Sequence, residues 1–167
     1  MFLLDTDVVS NFRKKPHPNL VAWLKAVNAN DIAVSAMTVF EIQTGINYVR
    51  EHDAAKAKDI DDWLRSFLLA GGMSILPVDA DVARLYGNMF TTQELKNFLY
   101  PDPDSKRPKS GADLIIAATA IVHEATVVTI NRADYERIHA HFPLPGLYEP
   151  FSDTFVVDPD VGALPHP

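Results

Sequence analysis

The sequence predicts an α/β sandwich with a mostly parallel central sheet flanked by helices. Two observations carry this. Apolar runs of strand length at 2–4, 32–34, 74–78 and 125–129 alternate with longer stretches of helical periodicity. One of those stretches, 111–122, has Asp113 as its only charge and contains neither proline nor an internal glycine, so it forms about three helical turns and must be buried nearly all round. At 167 residues and 47% hydrophobic content the chain buries a full core within one domain. That domain is expected over 1–150, followed by an extended, proline-rich acidic tail over 151–167 that holds no Lys or Arg.

Taken in order, 2–4 reads as a buried strand that delivers Asp5 and Asp7 at its carboxyl end. The helix through Val8, Val9 and Phe12 closes on Arg13, Lys14 and Lys15, cations suited to its carbonyl end. Pro16 and Pro18 interrupt the chain, and Leu20, Trp23, Leu24 and Val27 keep helical spacing up to the strand at 32–34. Ser35 is a good N-cap for a helix whose apolar face is Val39, Ile42, Ile46 and Val49, with Glu41 beside it. Ile60, Trp63, Leu64, Phe67 and Leu68 share a face of the next helix, which Gly71 and Gly72 end. Asp79 caps a helix through Val82, Leu85, Tyr86, Met89 and Phe90 that is expected to run as far as Leu99. The segment 100–109 is a loop with prolines and the cations Lys106, Arg107 and Lys109. After the strand at 125–129 a short helix opens around Asp134, and 144–148 is expected as an edge strand.

Composition excludes several function classes. A net charge of −7 and a pI of about 5.2 remove bulk attraction to nucleic acid, so a polyanion must be held by local cations or metal ions. Without cysteine there are no disulfides, thiolate nucleophiles or cysteine zinc sites. The chain shows no membrane-length apolar run and no basic, apolar leader, so a cytoplasmic protein without membrane contact is expected.

In parallel sheets ligands bind outside the carboxyl ends of the strands. Asp5 and the segment 129–134 stand at such ends, while Glu41 lies within the helix that Ser35 caps and Asp113 in the first turn of the helix at 111–122. Taken singly these acids have structural readings: Asp113 as partner of Ser110 in a capping box, Asp134 as a first-turn acid, Asp7 as an N-terminal helix acid rather than a ligand.

Together they match a known pattern. Leu3-Leu4-Asp5-Thr6-Asp7-Val8-Val9-Ser10, Ser35-Ala36-Met37-Thr38-Val39-Phe40-Glu41, Asp113-Leu114-Ile115-Ile116-Ala117-Ala118-Thr119-Ala120 and Thr129-Ile130-Asn131-Arg132-Ala133-Asp134-Tyr135 occur in that order. The chain thereby resembles PIN-domain proteins of the VapC toxin type, from Met1 to about Tyr148. The resemblance implies a PIN-like three-layer sandwich and a Mg²⁺- or Mn²⁺-dependent endoribonuclease. Asp5, Glu41, Asp113 and Asp134 would be its metal-binding and catalytic acids. It also implies a small cognate antitoxin and a homodimer. The sequence departs from the family pattern at Ile130, where the family has arginine, and by longer segments at 91–110 and after Pro150.

The residue types suit the chemistry. Phosphodiester cleavage needs an activated water and a counter-charge on phosphate, and oxygen-bound divalent ions supply both. Arg13, Lys14, Lys106, Arg107 and Lys109 are expected to contact flanking RNA phosphates, and Thr129 and Asn131 to reach the scissile phosphate or metal-bound water. Two other readings stand beside this one: a haloacid-dehalogenase-like phosphatase with Asp5 as nucleophile, and a PIN-like binding module without catalysis.

Overall fold

The structure is a computed structural model that describes residues 1–14, 16–70, 73–100 and 110–159. Lys15, the Gly71-Gly72 helix stop, the cations Lys106, Arg107 and Lys109, and the end of the expected tail lie outside the described residues. The elements run β1 (Phe2–Leu4), α1 (Thr6–Lys14), α2 (Pro18–Ala26), β2 (Ile32–Ser35), α3 (Ala36–Arg50), α4 (Ala54–Leu69), β3 (Ser74–Leu76) and α5 (Ala80–Thr91). A 3₁₀ segment (Gln93–Phe98) follows, then α6 (Ala112–Val122), β4 (Thr126–Val128), α7 (Arg132–His139), β5 (Leu147–Glu149) and β6 (Thr154–Val157).

The sheet order is β3-β2-β1-β4-β5-β6, with every pairing parallel except β5 with β6. Because successive strand residues face opposite ways, β1 feeds two cores. Leu3 joins Ala33, Val127 and Leu147 under Val82, Met89, Leu114 and Ile116 of α5 and α6. Leu4 joins Val34, Val128 and Tyr148 under Val8, Leu20, Ile42 and Leu64 of α1 to α4. The result is the three-layer sandwich expected from the sequence. Among the described residues no helix is long and apolar enough to cross a membrane.

The caps are where local chemistry puts them. Ser35 Oγ accepts from Met37 N at 3.1 Å, and Asp79 Oδ1 accepts from Asp81 N and Val82 N at 3.1 and 3.0 Å. α6 begins differently. Its N-cap is Gly111 at φ 66° rather than Ser110, whose Oγ accepts from Ala112 N at 3.3 Å. The positive φ favours glycine at position 111, where a Cβ would also stand 3.0 Å from both Leu99 Cδ2 and Tyr86 Oη, closer than is usual.

Three expectations change. α5 stops at Thr91, because Thr92 turns to ψ 118° and its N–H goes to Met89 O; a 3₁₀ segment then buries Leu95 and Phe98. The third strand ends at Leu76 rather than 78. The strand expected near 144–148 is not the edge, because β6 covers it. Glu149 closes that hairpin by accepting from Phe151 N and Ser152 N, both at 2.8 Å, and the Tyr148 hydroxyl donates to Asp153. The sheet thus continues past position 150 into the stretch expected as extended tail.

The approach to β5 is tight. A Cβ on Gly146 would lie 2.5 Å from Thr126 Oγ1 and 3.0 Å from Thr126 Cγ2, while Gly146 O accepts from Val127 N at 3.0 Å. Gly146→Ala is expected to destabilise the protein by about 1–3 kcal/mol through forced separation of β4 from the chain entering β5. Urea unfolding measures this; an unchanged free energy would mean that Thr126 yields without cost.

Candidate active site

β1 and β4 lie side by side, and the chain leaves their carboxyl ends towards opposite layers of the sandwich, by α1 and α7. A crevice opens at such a switch point. Asp5 stands at its floor, only 3% exposed, with its N–H on Val128 O at 2.9 Å. Its Oδ1 accepts from Thr6 N at 2.7 Å and its Oδ2 from Thr129 Oγ1 at 2.8 Å. These bonds favour the carboxylate, but burial and the neighbouring Asp7 outweigh them and push its pKa up to about 8, with a smaller contribution from Glu41.

Asp7 belongs to the same cluster. It accepts from Ile130 N at 3.2 Å and from Thr129 Oγ1 at 3.3 Å. Burial, with a smaller push from the charge of Asp113, lifts its pKa to about 6 against those hydrogen bonds. Sequence reasoning assigned Asp7 to the helix terminus; the available signal was an Asp-x-Asp pair immediately after a buried strand.

Glu41 reaches the site from the second turn of α3. Thr6 Oγ1 donates to its Oε2 at 2.7 Å and Ser110 Oγ to its Oε1 at 3.1 Å. Glu41, Asp113 and Asp134 line one cleft of about 280 Å³, together with Ser110, Phe98 and Arg137. Four segments far apart in sequence therefore deliver Asp5, Glu41, Asp113 and Asp134 to one end of the sheet.

The polar residues expected to meet substrate bond the acids in this structure. Thr129 bonds Asp5 and Asp7 as above and accepts from Asn131 N at 2.9 Å; Asn131 Nδ2 donates to Asp134 Oδ2 at 2.7 Å. Arg13 lies with its Cζ 5.9 Å over the Trp63 ring of α4, and neither it nor Lys14 lines the cleft. Arg132 pairs with Glu136 at 2.8 Å on the exposed side of α7.

The donor set fits a hard divalent cation. Every candidate ligand is oxygen, which suits Mg²⁺ or Mn²⁺. The Tyr135 hydroxyl is fully buried without a hydrogen-bond partner, and its pKa is raised by that burial and by the charges of Asp5, Asp113, Asp7 and Glu41. An orphaned O–H beside concentrated negative charge is what a site for an ion and its water shell presents when only protein atoms are counted. Among the described residues no three acids or histidines stand close enough to ligate one ion together. An ion here would take one or two carboxylates and keep water in its other positions, as Mg²⁺ prefers.

Known proteins resemble this chain. The chain is 33% identical to Toxin FitB of Neisseria gonorrhoeae over 138 residues, 81% of this chain and 91% of that one. It is 30% identical to VapC ribonuclease Y4jK of Sinorhizobium fredii over 139 residues, 81% and 91% of the two chains. The solved structure of VapBC2 from Rickettsia felis, bound to a DNA fragment from their promoter, superposes with a TM-score of 0.66 at 25% identity over 89% of this chain and 97% of that one. A profile of the PIN domain matches residues 2–139. That span runs from β1 to the last residue of α7 and takes in Asp5, Glu41, Asp113 and Asp134, and with it the chain belongs to the PIN-domain family.

Proposed function

We propose that the protein is a divalent-metal-dependent endoribonuclease, the toxin of a toxin–antitoxin pair. The observation that carries this is the convergence of buried Asp5 with Glu41, Asp113 and Asp134 at the switch point of a PIN sheet. The names of its relatives, a toxin and a VapC ribonuclease, support the same reading.

Asp5 and Asp113 would be the strongest ligands of such an ion and Asp134 the next, while Glu41 would bind it or orient its water. A bound Mg²⁺ or Mn²⁺ supplies an activated water and a counter-charge for the phosphate. Thr129 keeps both oxygens of the Asp5–Asp7 pair in place, Asn131 does the same for Asp134, and Thr6 and Ser110 fix the two oxygens of Glu41. Locking ligands by such bonds keeps them in productive geometry.

A nuclease that attacks cellular RNA has to be restrained in the cell that makes it. A small antitoxin that places a guanidinium among these carboxylates would do so, since arginine pairs bidentately with groups that otherwise bind metal. We also infer a homodimer, the state implied by the family resemblance. The direct test is to incubate purified protein with pooled cellular RNA, with and without Mg²⁺ or Mn²⁺, and map new ends. Discrete ends that appear only with the ion are expected; RNA left intact under every condition would end the nuclease reading.

A further inference from the structure

We infer that Arg137 holds a phosphate of the RNA strand at the mouth of the acidic cleft, an inference that rests on the ribonuclease reading. The cleft sets an electrostatic problem, because Glu41, Asp113 and Asp134 line it and repel the polyanion that must enter. Ion-bound water and metal answer this at the scissile bond but not along the flanking strand. A fixed cation beside the acids is needed, and among the described residues Arg137 is the cation that lines the cleft.

Its setting suits that role. Arg137 lies one turn beyond Asp134 on α7, and its Cζ stands 5.3 Å from the centroid of the Phe98 ring. Phe98 is only 7% exposed, so the ring is anchored in the core and the guanidinium rests on a fixed platform. Stacking of this kind restricts the side chain and leaves the in-plane N–H donors at its edge available. Among the described residues its ion pair is with Asp134, at 3.8 Å from Nη1 to Oδ1, beyond hydrogen-bond distance. The side chain is 47% exposed. A planar fork with donors to offer, held at the rim of an acidic cleft, matches the geometry of a phosphate.

Two substitutions separate phosphate binding from a structural role. Arg137→Met keeps an unbranched stem over Phe98 and removes the charge; Arg137→Lys keeps the charge and loses the fork. Binding of a labelled single-stranded RNA of mixed sequence would be measured in Ca²⁺ across a salt series, and cleavage of the same RNA in Mg²⁺. Arg137→Met is expected to weaken binding about tenfold and to flatten the dependence of log K on log salt by about 0.7, one phosphate contact on a single strand. Its KM should rise with little change in kcat, and Arg137→Lys should recover the salt slope with part of the affinity. Thermal melting should be nearly unchanged in both, since Arg137 is at the surface. Equal affinity and equal salt slope for wild type and Arg137→Met, with cleavage intact, would overturn this inference and leave the nuclease reading standing. Wild-type protein that neither binds nor cleaves RNA would remove both.

Discussion

Asp5→Asn is expected to lower RNA cleavage by about a thousandfold or more while making the metal-free protein more stable at neutral and alkaline pH. The two effects have one cause. The Asp5 carboxyl is pushed from 3.8 to about 8 by burial and by Asp7, so the folded protein binds its proton more tightly than the unfolded chain does. Stability is then fully present below about pH 4 and is lost as pH rises towards 8, where the folded protein must carry a buried charge. Asp7, raised to about 6, adds to the loss over the lower part of that window. An asparagine keeps the bond from Thr6 N at its amide oxygen, and its Nδ2 donates to Thr129 Oγ1 in place of the bond that Asp5 accepts, without ionising. The stability gained at pH 8 should be on the order of a few kcal/mol, because each pKa unit corresponds to about 1.4 kcal/mol. Urea unfolding at pH 5 and pH 8 in a chelator reads it. A variant with the wild-type pH dependence would show that Asp5 is not the group responsible, and undiminished cleavage would discard the metal site.

Mn²⁺ or Mg²⁺ should reverse that pH dependence in the wild-type protein. A divalent ion among Asp5, Glu41, Asp113 and Asp134 favours the ionised carboxyls that burial disfavours, so binding displaces protons and strengthens as pH rises. At an ion concentration about 100 times the dissociation constant the gain is about 2.7 kcal/mol. It should be large at pH 8, shrink towards pH 5 where protons compete, and be much reduced in Asp5→Asn. Thermal melts with and without the ion, and calorimetry in buffers of different ionisation heat, give the stabilisation and the proton release. A melting temperature that Mn²⁺ leaves unmoved at pH 8 would mean that this acidic cluster is not a metal centre.

Most of the scaffold was legible in the chain. The α6 run with its single Asp113, the N-caps Ser35 and Asp79, and the apolar strand runs each depend on neighbours within a few residues, and the structure places them accordingly. The candidate acids Asp5, Glu41, Asp113 and Asp134 could be picked from the chain only because four short motifs occur in order. Spacing alone did not bring these acids together.

The roles of the surrounding polar residues depend on partners distant in sequence. Thr129 serves Asp5 and Asp7 across 124 and 122 positions, and Ile130 N meets Asp7 across 123, so no local pattern distinguishes Asp7 from an ordinary first-turn acid. β6 falls in a proline-rich acidic stretch whose composition signals a tail; it becomes a strand because β5 offers an unpaired edge and Glu149 closes the turn between them. Arg137 has the spacing of a surface cation paired with Asp134, and only the stacking on Phe98 sets it at the cleft. Local propensity and hydrophobic period thus determined the elements and their order. Which acids share a charge, which hydroxyls hold them and which cation faces them were decided by tertiary packing, because burial and Coulomb terms depend on distances between segments that the chain order does not contain.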